Sequence, residues 1–169
     1  METQRARARA AGAFKSGEGL SSETLAQLPT TQFLGYDHLG VPKAQVVGLV
    51  HEQKLVERVE AGQPVVVFLD QTPFYGESGG QVGDRGLLES DQVTIEVTDT
   101  QKVGGKFFAH HGRVVSGTAS VGESVEAEVD ESRRANIVRH HSATHLLHAA
   151  LREVLGTHVQ QKGSMVAPD

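Results

Sequence analysis

Cysteine and tryptophan are both missing from the 169 residues of this chain. Without cysteine there is no disulfide framework, and the composition fits a reducing compartment. Aromatic residues make up only 5%, which argues against a surface built on base-stacking rings. No apolar run approaches the ~20 residues needed to cross a bilayer, so no membrane partner is expected. No charged start followed by an apolar stretch marks a secretory leader, and the expected location is cytoplasmic.

A hydrophobic fraction of 38% is enough to build a core. The length suits one domain or one and a half. The net charge is -5, whereas a dedicated nucleic-acid binder is usually basic. The charge is uneven, however. The opening "METQRARARAAGAFK" sets Arg5, Arg7, Arg9 and Lys15 against Glu2 alone, and "ESRRANIVRH" is a second basic stretch. Local contact with RNA stays open on that ground.

Three regions follow from patterning. Residues 1–30 read as a helical tail rich in Ala and Arg, then a polar linker, "KSGEGLSSETLAQLPTT". Residues 31–129 hold short runs of Val, Ile, Phe and Thr, such as "AQVVGLV", "PVVVFLD", "VTIEVTDTQKV", "KFFAHHGRVV" and "SVEAEVD". Gly, Pro, Asp and Ser separate these runs, which predicts a small antiparallel barrel of roughly five or six strands. From Asp130 the period becomes helical, with Asp130 as N-cap and Gly156 as a left-handed C-terminal stop. The last stretch, "THVQQKGSMVAPD", reads as the start of another strand. The fold class is therefore α+β, a barrel followed by a long helix.

Two stretches carry chemistry. "HHSATHLLH" places four of the nine histidines within residues 140–148. His141 and His145 share a helix face, and two such imidazoles can both hold one ion at about 2.0 Å. Zinc proteases use the same spacing with Glu after the first His, but Ser142 stands there. The competing reading is structural: Ile137, Val138, Leu151 and Leu155 continue the same face, and the histidines would be hydrogen-bonded at the edge of a core. Zinc needs further donors in either case. His51, His110, His111 and His158 are open candidates, while His148 reads as structural.

The second stretch, "TPFYGESGGQVGDRG", lacks the Gly-Lys-Ser/Thr ending of a phosphate loop. A tight turn shaped by Asp84 and Gly86 is one reading. Close approach of backbone to RNA is a second. A third is the Gly79-Gly80-Gln81 tripeptide, shared with release factors that hydrolyse peptidyl-tRNA.

Taken together, "FYGESGGQVGDRG" and "HHSATHLLHAALREVLGTHVQQKGSMVAPD" closely resemble the alanyl-tRNA synthetase family, over nearly the whole chain. The resemblance implies the middle of such an enzyme: the end of the helical tRNA-recognition region, a barrel like the second domain of elongation factors, and from residue 130 to 169 the start of an α/β editing domain. It implies that His141 and His145 are two zinc ligands, with a Cys-x-x-x-His pair expected beyond Asp169. It implies that Thr144, Gln161 and Ser164 hold and discriminate the aminoacyl ester. The implied partner is tRNA(Ala). ATP is expected only in an aminoacylation domain outside this stretch, and Met1 is expected to be internal. On its own the stretch is expected to lack aminoacylation and full editing. A non-catalytic tRNA-binding barrel, a free-standing editing hydrolase and a hydrolase acting through Gln81 are the alternatives.

The chemistry of such a site has a physical reason. A pocket for alanine discriminates against glycine by only about 1–3 kcal/mol and against serine by about a hundredfold. A second, hydrolytic site corrects the error, and short polar groups suit the reading of a serine hydroxyl.

Overall fold

The structure, a computed structural model, describes residues 22–168. The Arg-rich opening and its expected helix lie outside the described residues. Six strands close a barrel: β2 (Gly40–His51), β5 (Pro64–Leu69), β7 (Gly86–Glu89), β8 (Val93–Val103), β9 (Phe107–Ser120) and β10 (Ser124–Val129). Their order is β10-β7-β8-β9-β5-β2, and β2 returns to β10. All six pairings are antiparallel. Closure leaves none of these strands with a free edge.

Strand β2 makes the corner. Its first half pairs with β10 through Val41 and Ala44, and its second half pairs with β5 through Leu49 and Val50. The register shifts on both sides of this corner, between Val125 and Ala127 and between Val46 and Gly48. An extra residue at such a place bends a strand and increases its twist, which a small barrel needs. The expected five or six strands are borne out. Short pieces that the sequence pattern did not single out complete the set. They are β1 (Gln32–Phe33), paired with β6 (Gln71–Thr72), and β3 (Lys54–Val56) and β4 (Arg58–Glu60), added to β2 and β9.

Alternation sets the core. Along β10, Val125, Ala127 and Val129 point inward while Ser124, Glu126 and Glu128 are exposed. Leu49, Val67, Leu69, Phe74, Leu88 and Ile95 are fully buried in the main cluster. Each such side chain contributes about 1.5–3 kcal/mol relative to exposure. The end of the predicted linker is not free. Its last part forms one helical turn, α1 (Ser22–Leu25), and Leu25 and Leu28 pack on Val50, Phe68 and Ala109.

Helix α2 (Glu131–Leu155) follows directly from β10. Asp130 caps it as expected, accepting the Arg133 N–H at 2.9 Å. Gly156 does stop it, but at φ 106 and ψ 165 rather than in the left-handed helical region. That extended, positive-φ conformation is one that glycine alone adopts readily. The expected final strand does not form. Residues 157–168 run without regular structure, with one bridge from Val166 to Gln81. No described helix is long and apolar enough to cross a membrane.

Candidate functional site

Only the first turns of α2 touch the barrel. Ile137 is the helix's sole buried residue. Below it, Arg134 forks onto Asp84, with Nε 3.0 and 2.9 Å from the two carboxylate oxygens and Nη2 on Oδ2 as well. The same guanidinium donates to the carbonyls of Gly35 (2.8 Å) and Pro73 (3.0 Å). Arg133 donates to the Gly83 carbonyl at 2.8 Å. Asp84 also accepts the Tyr75 N–H at 2.7 Å, as a tight turn shaped by this residue requires. The basic stretch "ESRRANIVRH" was open to RNA contact on charge alone. Arg133 and Arg134 are instead turned inward as a clasp between helix and barrel.

Higher up, the helix stands clear. His141 and His145 are exposed, and their Nε2 atoms lie 3.0 Å apart. Two tetrahedral zinc ligands, each about 2.05 Å from the ion, sit roughly 3.3 Å apart. The separation is near that of two ligands on one zinc, and it is equally the length of a hydrogen bond between the two rings. On this face Ile137 is buried, while Val138, Leu151 and Leu155 are exposed among the described residues. No third His, Cys, Asp or Glu completes a metal group among the described residues. The four candidates for that role are elsewhere. His110 is fully buried in the barrel, its Nδ1 donating to Val67 O at 2.9 Å and its Nε2 accepting from Thr72 Oγ1 at 2.7 Å. Burial drives its pKa down to about 4, against a smaller upward pull from the Val67 carbonyl. His51 donates to the Pro64 carbonyl at 2.7 Å. His111 belongs to β9, and His158 lies beyond the helix, close to Gly156. His148 is half-buried on α2.

Thr144 lies between the two histidines, its hydroxyl donating to His140 O at 2.9 Å. Gln161 is exposed and Ser164 half-buried on the segment that returns after the helix. This segment meets α2 through Ala167, whose carbonyl accepts from His140 Nδ1 at 2.6 Å. So His141, His145 and Thr144 share one helical turn. The segment's bond to the helix is made by Ala167, three residues after Ser164 and six after Gln161. The glycine stretch supports the same segment. Ser78 and Gln81 exchange backbone hydrogen bonds of 3.2 and 3.0 Å around Gly79 and Gly80. The Val166 N–H donates to Gly80 O at 2.8 Å. What approaches Gly80 is the chain itself, through the Ser164 carbonyl. Sequence reasoning missed Asp84–Arg134, Gly80 and His140 as parts of one arrangement. The signals were Arg-Arg inside a helix start and Gly-Asp-x-Gly in a turn.

The comparisons with known proteins agree with this architecture. Residues 1–133 match the family model described as tRNA synthetases class II (A). The alanine–tRNA ligase of Xanthomonas axonopodis pv. citri (strain 306) is 53% identical over 169 residues, covering 100% of this chain and 19% of that protein. The alanine–tRNA ligase of Xanthomonas euvesicatoria pv. vesicatoria (strain 85-10) is 54% identical with the same coverage. The chain thus spans 19% of the length of the curated relatives it matches. With the barrel, the clasped helix and these matches in hand, the chain belongs to the class II alanyl-tRNA synthetase family.

Proposed function

We propose that this chain is the barrel, residues 31–129, and the opening of the editing domain, residues 130–169, of a cytoplasmic alanine–tRNA ligase. That enzyme attaches alanine to tRNA(Ala) with ATP and hydrolyses Ser-tRNA(Ala) and Gly-tRNA(Ala). His141 and His145 hold zinc together with donors outside the described residues. Thr144, Gln161 and Ser164 read the aminoacyl ester. The single observation that supports this reading is the 3.0 Å separation of the two Nε2 atoms on an exposed helix face. When bound, zinc would supply a Lewis acid that takes the lone pair of the ester's neutral amino group or acidifies a water.

The residues of the chain divide the remaining work. Arg134, Asp84 and Ile137 fix the base of the helix, so the pair above it keeps its direction. The Thr144 hydroxyl proton is engaged on His140 O. Its lone pairs are left to accept a hydrogen bond from a serine hydroxyl, which the methyl of alanine cannot donate. That asymmetry is the kind of discrimination an apolar pocket cannot reach.

The test uses the complete gene product. Isothermal titration with zinc and single-turnover hydrolysis of Ser-tRNA(Ala) are measured for the parent and for His141→Ala and His145→Ala. Each variant is expected to weaken zinc by about a hundredfold and to abolish hydrolysis while alanine attachment persists. Unchanged zinc affinity in both variants would remove the metal site and leave a non-catalytic tRNA-binding barrel.

A further inference from the structure

We propose that Gly80 and His140 are positioning residues of the editing site, clamping the returning segment from two sides so that Gln161 and Ser164 meet the ester beside His141 and His145. The inference rests on the editing reading above. Residues 157–168 hold no regular structure, so no ladder orders the chain there. Such a segment would sample many conformations unless something outside it fixes the backbone. Two things do. On the barrel side, Val166 N–H donates to Gly80 O at 2.8 Å and Val82 N–H donates to Val166 O at 3.1 Å. On the helix side, His140 Nδ1 donates to Ala167 O at 2.6 Å. His140 is the residue before His141, so the clamp ends next to the histidine pair.

The barrel side tolerates no side chain. A Cβ at Gly80 would sit 2.0 Å from the Ser164 carbonyl oxygen, whereas ordinary contact begins at 3.4 Å. Gly80 also has φ +87. Its neighbour Gly79 has φ +60 with nothing within 4 Å of a built Cβ. Alanine at Gly79 therefore strains the turn without touching the segment. Alanine at Gly80 strains the same turn and pushes the Ser164 backbone by more than an ångström. A displacement of that size at a substrate-contacting group lowers a rate by about a hundredfold.

The experiment compares Gly80→Ala, Gly79→Ala, His140→Ala, His140→Asn and His141→Ala in the complete gene product. Hydrolysis of Ser-tRNA(Ala), alanine attachment and zinc content are read for each. Gly80→Ala is expected to lower the hydrolytic kcat by at least about tenfold, with zinc content and alanine attachment retained. Gly79→Ala should stay near the parent. His140→Ala should lose rate, and His140→Asn should recover it because its amide can still donate to Ala167 O. If Gly80→Ala matches Gly79→Ala, or His140→Ala matches the parent, while His141→Ala abolishes hydrolysis, the clamp is overturned and the editing reading stands. If His141→Ala hydrolyses like the parent, the editing reading falls and the clamp falls with it.

Discussion

Arg134 and Asp84 form a bidentate ion pair at the foot of helix α2, with only 12% and 1% of their side chains exposed. The pair joins residues fifty apart in sequence and sets where the helix leaves the barrel. A buried pair adds little stability over apolar replacements, but removing one partner strands the other. Arg134→Met is therefore expected to cost about 3–5 kcal/mol, read as a lower urea midpoint. Lysine at 134 should restore only part of this, since one ammonium cannot reproduce the fork on Asp84 together with the Gly35 and Pro73 carbonyls. A melt unchanged by Arg134→Met would mean that the helix is not held by this clasp.

His110 makes stability depend on pH. Its folded pKa, about 4, lies below the ordinary 6.5. Between those values the unfolded chain takes up a proton that the folded chain refuses. The contribution is complete above pH 6.5 and is lost as pH falls towards 4, roughly 3 kcal/mol in all. Urea midpoints at pH 7.5 and 5 measure the loss. Nitrogen NMR of the ring offers an independent reading, with His110 still neutral at pH 5. A ring that titrates near 6.5 in the folded protein would refute the assignment.

Thr144 should act on selectivity rather than on metal. In the complete gene product, Thr144→Val is expected to slow hydrolysis of Ser-tRNA(Ala) about tenfold, the loss of one hydrogen bond to substrate. Zinc content should not change, and Thr144→Ser should keep most of the rate. Equal slowing of Gly-tRNA(Ala) hydrolysis, where no serine hydroxyl is present, would argue against a hydroxyl-reading role.

Asp130 gives a smaller, local effect. Its carboxylate accepts the Arg133 N–H at the helix start. Asp130→Ala is expected to cost about 1 kcal/mol, and Asp130→Ser much less. Hydrogen exchange should quicken at Arg133 before it changes in the barrel.

The barrel was legible because burial imposes a period. "VTIEVTDTQKV" alternates apolar with polar, and β8 covers those same residues, Val93–Val103. The cap at Asp130 was legible for an equally local reason, since one side chain bonds an N–H three residues on. The short strands β3 and β4 were not, because segments of three residues carry no pattern of their own and exist only where a long neighbour offers a ladder. The final segment looked like a strand by composition, yet its one bridge is to Gln81. Propensity there had no ladder to join.

Residue identity and spacing alone decided that a β-barrel precedes a helix, and that His141 and His145 share a helical face, because both follow from the geometry of a regular backbone. Only the tertiary structure decided that Arg133 and Arg134 turn inward, that Gly80 faces the Ser164 backbone, and that His110 is a buried neutral ring rather than a ligand. Those facts depend on groups far apart in sequence, 38 residues for the Thr72–His110 hydrogen bond and 50 for Arg134 and Asp84. Distances of that kind are set by the closure of the barrel and by the burial of polar groups that must then find partners.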